Sequence, residues 1–289
     1  LRFWIIPFQS KIGNPKWEKF MTNAEVPRAS LFVTCIVDQI YPEIGEAVVD
    51  VLERCGVQVA FPADQTCCGQ PAFNAGFRDD ARAVAGRNLE VLRDAGDVVM
   101  PSGSCAAMIK HSYPELFADN PALHAAAQDL ASRTYEFSQY MVDHLGVTDV
   151  GAHFPATLAI HDACHGLRGL GIKDQPRALL DHVEGAQLVE LPDAERCCGF
   201  GGLFAVKLGP ISEAMVDDKA DAIEATGADY AVTCDASCMT QINGRLSRRG
   251  SACRTLHLAQ VLAGAANGAL QSTGVRDRGL GVGENKPNP

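Results

Sequence analysis

Leu191-Pro192-Asp193-Ala194-Glu195-Arg196-Cys197-Cys198-Gly199-Phe200-Gly201-Gly202 decides how this chain is read, because its centre occurs twice. Cys67-Cys68-Gly69 stands 130 residues earlier, and the flanking cysteines repeat with it. The first half reads Cys35-x31-Cys67-Cys68-Gly69-x35-Cys105, and the second Cys164-x32-Cys197-Cys198-Gly199-x38-Cys238. Four cysteines per half in one order mark an internal duplication, which outranks any local signal in deciding the fold.

The segments around the cysteines repeat as well. Leu31-Phe32-Val33-Thr34 reads as a buried strand ending at Cys35. Ile44, Ala47, Val48, Val51, Leu52 and Cys55 then fall on one helical face, and Gly56 stops that helix. Residues 57–61 are a strand entering the double-cysteine loop, 79–95 a helix, and 97–100 a strand leading into Pro101-Ser102-Gly103-Ser104-Cys105. The second half follows suit: strand 158–161, helix 173–182, strand 186–191, helix 212–226 and strand 230–233. Alternating strands and helices predict an α/β fold of two tandem, duplicated parallel-sheet domains with right-handed crossovers. The strand C-terminal ends then share one edge, where ligand crevices form, and the repeated cysteines converge there. The expected layout is an N-terminal extension (1–30), a first domain with a helical connector (31–150), a second domain (151–265) and a flexible tail (266–289).

Of 289 residues, 47% are apolar and 21% charged, ordinary for a globular chain, and 35 acids against 25 bases leave a net charge of −10. With no basic patch and 7% aromatics, nucleic-acid binding is not expected. No apolar run is long enough to span a bilayer, and the short apolar opening is broken by Pro7, so no secretory signal is read. The expectation is a cytoplasmic protein whose eleven cysteines serve metal or redox chemistry rather than disulfides.

Closing Cys67 onto Cys68 would make a small strained ring. Structural zinc usually draws on Cys-x2-4-Cys hairpins, a spacing that only Cys234-x3-Cys238 has. Soft thiolates equally suit iron–sulfur clusters, and a vicinal pair can serve neighbouring irons. The glycine after the pair is read as relieving crowding where backbone passes a bulky inorganic group. Cys55 and Cys253 are read as core residues. Cys234 is a further candidate ligand, open between ligand and bystander because the first half has Pro101 near that position. His161 and His165 bracket Cys164 and are read chiefly as hydrogen-bonding neighbours of the site. Arg168 is a candidate contact for a substrate carboxylate, and Lys207 a candidate for balancing charge. Gly199-Phe200-Gly201-Gly202 lacks both the dinucleotide fingerprint and the P-loop, so neither a flavin nor an NAD site is evident.

His161-Asp162-Ala163-Cys164-His165-Gly166-Leu167-Arg168-Gly169-Leu170-Gly171, the stretch from Leu191 to Gly202, Asp217-Asp218-Lys219 and Asp235-Ala236-Ser237-Cys238-Met239 together resemble the cysteine-rich (CCG) domain family. Pro101 to Cys105 matches the last motif of its first domain, and the likeness runs from about residue 31 to 263. That family includes the cysteine-rich subunit of heterodisulfide reductase, the iron–sulfur subunit of glycolate oxidase and the corresponding subunit of anaerobic glycerol-3-phosphate dehydrogenase. The likeness is nearest to the lactate utilization protein A family. It implies an iron–sulfur electron-transfer subunit of a three-protein system oxidising L-lactate to pyruvate, with a ferredoxin-like iron–sulfur protein and a third component as partners. It also implies one cluster per repeat, of the 4Fe-4S type, on Cys35, Cys67, Cys68 and Cys105 and on Cys164, Cys197, Cys198 and Cys238. Ser102 stands where the heterodisulfide reductase relatives have a further cysteine, and ferredoxin-type cysteine runs are absent. Two alternatives stay open: a thiol–disulfide (heterodisulfide) reductase-type component, and a zinc-stabilised scaffold without catalysis.

Overall fold

The computed structural model describes residues 26–264, so the flexible tail expected over 266–289 and most of the N-terminal extension lie outside the described residues. Two four-stranded parallel sheets carry the fold. Strands β1 (Arg28–Leu31), β2 (Gln58–Ala60), β3 (Asp97–Met100) and β4 (Thr134–Glu136) form the first in the order β2-β1-β3-β4. Strands β5 (Thr157–Ile160), β6 (Gln187–Val189), β7 (Tyr230–Thr233) and β8 (Arg254–His257) form the second, ordered β6-β5-β7-β8. All neighbours pair in parallel. Each sheet therefore has its topological switch between the first and third strands, where open α/β sheets leave a crevice.

The amphipathic helix expected after Cys35 spans Pro42–Arg54, with Ile44, Ala47, Val48, Val51 and Leu52 buried. Cys55 caps its end half-buried, packed against the core rather than within it, whereas Cys253 is buried. The first strand lies earlier than the hydrophobic run suggested. Arg28, Ala29 and Ser30 pair with β2, so they belong to the sheet and not to an extension. Thr34 takes a positive φ of 67°, which turns the chain into the helix beginning at Cys35. The connector over 111–150 also contains β4, and β8 completes the second sheet. Both are edge strands of three or four residues, too short to show an alternation in sequence.

The halves share a core. Val48, Val51 and Leu52 pack in one apolar cluster with Leu158, Ile160, Val232, Val261 and Leu262. Arg54 fastens the seam by donating to the Leu262 carbonyl at 3.0 Å. On the cysteine side, the helices Gly103–Ala107 and Cys164–Leu170 touch backbone to backbone, since a Cβ on Gly103 would lie 2.8 Å from the Gly166 Cα. Between them Ser102 and Asp235, at equivalent turns of the repeats, form a bridge. The Asp235 carboxylate accepts from the Ser102 hydroxyl at 3.1 Å and from the Ser104 N–H at 3.0 Å. This seam aims the two strand-end edges at each other.

Candidate metal centre

Each site is assembled from three loops that leave neighbouring strands. Cys35 opens the short helix after β1, the vicinal pair follows β2, and Cys105 lies in the helix after β3. Cys164, Cys197–Cys198 and Cys238 repeat this after β5, β6 and β7. Sulfur atoms 32 and 37 residues apart meet: Cys35 and Cys67 at 3.6 Å, Cys68 and Cys105 at 3.2 Å. In the second half Cys164 and Cys197 lie 3.8 Å apart. All eight cysteines line one cavity of about 140 Å³, so the two sites share a single space.

The glycine of each motif turns the chain at the vicinal pair. Gly69 and Gly199 take left-handed φ values of 84° and 83°. That turn points each N–H at the first sulfur of the pair, 3.4 Å from Cys67 and from Cys197. A Cβ on Gly199 would lie 2.8 Å from the Ser212 carbonyl oxygen, so the following helix excludes a side chain there.

These donors set the electrostatics. Cys67 is pushed down to about 2 because the Cys35 and Cys68 thiols donate to its sulfur, aided by Gly69 N–H. Cys197 falls to about 2 in the same way, through Cys164 and Cys198. The proton donors move up: Cys35 and Cys164 through the bond to that thiolate and then burial, Cys68 and Cys198 through their thiol partners and burial. Each set of sulfurs thus holds a thiolate beside protonated neighbours. A soft cation or cluster fits such a site by displacing the remaining protons, which couples its binding to pH.

The sites differ behind the sulfurs. Behind the first, Asn88 donates to the Cys67 carbonyl and to the Tyr113 hydroxyl, both at 2.9 Å, and Tyr113 donates to the Cys68 carbonyl at 3.0 Å. Behind the second lie Lys219 and His161, each 1% exposed. Lys219 Nζ donates to the carbonyls of Asp193 at 2.7 Å and Ala194 at 3.3 Å. Burial, then the Lys219 charge, lowers His161 to about 4, so the imidazole is neutral. His161, Cys198 and Cys238 each offer one ligand atom, a ring nitrogen and two sulfurs, within 4.8 Å of the others. The sequence brackets Cys164 with His161, but the fold sets His161 against Cys198 and Cys238 instead.

Other expected residues fall elsewhere. Cys234 does not line the cavity. It points to the shared core beside Ser138 and Glu136, and burial pushes its thiol up, so its sulfur is not gathered with the four. Arg168 and Lys207 are exposed and outside the cavity lining, which removes the geometric basis for a carboxylate contact or charge balance there. His165 is exposed with Nδ1 3.6 Å from Cys164 Sγ.

The profile of the cysteine-rich domain matches this chain twice, over residues 29–110 and 158–243. Lactate utilization protein A of Geobacillus kaustophilus is 50% identical over 235 residues, which are 81% of this chain and 98% of that protein. Its namesakes from Geobacillus thermodenitrificans and Bacillus cytotoxicus are each 48% identical over the same shares. Among solved structures, a hypothetical protein from Helicobacter pylori superposes with a TM-score of 0.57 at 13% identity, over 89% of this chain and 55% of that one; this likeness concerns the fold alone. Two matched domains and relatives covered over 98% of their own length at about half identity make this chain a member of the cysteine-rich CCG domain family and, within it, of the lactate utilization protein A family.

Proposed function

We propose that this chain is a cytoplasmic iron–sulfur electron-transfer subunit of a system that oxidises L-lactate to pyruvate. The observation that carries the reading is the convergence of both four-cysteine sets on one cavity, in a chain half identical to proteins named for lactate utilization. Cys35, Cys67, Cys68 and Cys105 would hold one cluster, and Cys164, Cys197, Cys198 and Cys238 another, of the 4Fe-4S type. When bound, such clusters accept and pass on single electrons. Lactate gives up two electrons and two protons in becoming pyruvate, so two centres facing one space suit the stoichiometry. The chain's own part is to supply thiolates: Cys67 and Cys197 are already ionised, held by Gly69 and Gly199 N–H groups, and buried Lys219 offsets negative charge at the second site. A ferredoxin-like iron–sulfur protein and a third component would complete the path.

One observation favours zinc as the second reading. A tetrahedral ion with metal–sulfur bonds of ~2.3 Å separates its sulfurs by roughly 3.8 Å, close to the contacts of Cys35 with Cys67 and of Cys164 with Cys197. Iron, acid-labile sulfide and zinc per chain after anaerobic purification separate the two. Matching iron and sulfide, each falling by about half in Cys67→Ser and in Cys197→Ser, is the expected result. Zinc without sulfide would overturn the electron-transfer reading.

A further inference from the structure

We infer that His161 binds the metal of the second site through Nε2, making it a mixed nitrogen–sulfur site beside an all-cysteine first site. The inference rests on the cluster reading proposed above. His161 follows β5, and its N–H donates to the Val232 carbonyl at 2.8 Å. Its Nδ1 lies 3.2 Å from the Ala194 carbonyl oxygen, which only accepts, so Nδ1 carries the proton. Nε2 therefore presents a lone pair, and it is buried with no hydrogen-bond partner among the described residues. An unpaired buried acceptor is destabilising, and a bound metal ion would satisfy it.

A ring nitrogen of His161 lies within 4.8 Å of the Cys198 and Cys238 sulfurs, and with Nδ1 turned to the Ala194 carbonyl, Nε2 is the nitrogen left to bind. The alternative role, a hydrogen bond from Nε2–H to a cluster sulfur, would need a proton on both ring nitrogens. The Lys219 ammonium, donating to the same Ala194 carbonyl, opposes a second buried cation there. A neutral imidazole whose far nitrogen donates to a backbone carbonyl is the usual arrangement of a metal-bound histidine. The first half shows the contrast. Phe32 holds the equivalent position, with its N–H on the Val99 carbonyl at 2.9 Å, and its side chain cannot ligate. Duplication thus left four donors in the first site and five in the second. Where Nε2 takes the position of a thiolate on one iron, a neutral donor stands for an anionic one and the reduction potential rises, as in Rieske centres.

The test uses the full chain, grown with ¹⁵N-histidine, reconstituted anaerobically with iron and sulfide, reduced and examined by pulsed electron paramagnetic resonance. The expected result is the coupling of a directly bound nitrogen that changes with the isotope. It disappears in His161→Phe, the first-half residue, persists in His165→Asn, and His161→Phe also lowers the second-site potential. Full iron and sulfide in the wild-type chain with no nitrogen coupling overturns the histidine assignment and leaves the cluster reading standing. So does a coupling unchanged in His161→Phe. Failure to take up iron and sulfide at all overturns both, and the metal analysis tells these outcomes apart.

Discussion

The two cysteine sites share one backbone and differ in what stands behind the sulfurs. The first is backed by Phe32, Asn88 and Tyr113, all neutral, the second by His161 and Lys219. The pairing follows from matched contacts. Phe32 and His161 make the same bond to the third strand, and Gly69 and Gly199 pack on Ala81 and Ser212, which start the two series that reach Asn88 and Lys219. The same four thiolates thus sit beside an amide in one half and beside a buried ammonium in the other. A buried cation favours the state with more electrons, so the second centre should hold the higher potential. The lesson is that a duplicated scaffold keeps ligand geometry in both copies while neighbours one layer back set the copies apart.

The comparison breaks most visibly at the ligands. Cys68→Ser should empty the first site and Cys198→Ser the second, each leaving about half the iron by metal analysis. Loss of all iron from either variant would mean that the sites do not load independently. Loading of both should weaken as pH falls, because Cys35, Cys68, Cys164 and Cys198 must shed protons to bind.

Next in size are the motif glycines. Gly199→Ala meets both a left-handed φ and the Ser212 carbonyl, and should cost roughly 2–4 kcal/mol in urea unfolding. Gly69→Ala meets the same φ, but its nearest neighbour is the Val84 side chain at 3.4 Å, so roughly 1–2 kcal/mol is expected. Equal losses would show that the two loops pack alike in solution.

Behind the sulfurs, Asn88→Leu strands the Cys67 carbonyl and the Tyr113 hydroxyl and should cost about 1–3 kcal/mol with little change of potential. Lys219→Met should instead lower the second-site potential in a redox titration, leaving the first unchanged. An effect on both potentials would mean that the charge is felt across the shared cavity.

The gentlest difference lies at the ends of the fourth strands, where Glu136 and His257 pair with Met100 and Thr233 and cap the next helices. Burial raises Glu136 from 4.5 to about 7, so the folded state holds an extra proton between those values and stability falls as pH rises through them. Burial lowers His257 from 6.5 to about 4, so the unfolded state binds the extra proton and stability falls as pH drops through that window. Each slope is at most about 1.4 kcal/mol per pH unit. The two slopes oppose each other where the windows overlap, so urea midpoints should rise with pH through that range in Glu136→Gln and fall with pH in His257→Gln.

Several elements were legible because their signals are local. The strand 97–100 and the strand 230–233 stand where the apolar runs placed them, and the helix Pro42–Arg54 carries the face its periodicity announced. The first strand was misplaced by three residues because Phe32 and Val33 are apolar like strand residues, yet Thr34 must turn the chain. Spacing alone left Cys234 open between ligand and bystander, and the fold turns its side chain away from the cavity, towards Ser138 and Glu136.

What the sequence determined by itself was the duplication, the parallel α/β class and the eight cysteines, since repeats and periodicity are written in residue order. Only the tertiary structure decided that both sites open onto one cavity, that Gly103 and Gly166 let the halves touch, and that His161 and Lys219 stand behind the second pair. Those facts depend on residues from separate strands and helices meeting across a seam. Such meetings come from packing a shared core, and residue spacing along the chain carries no trace of them.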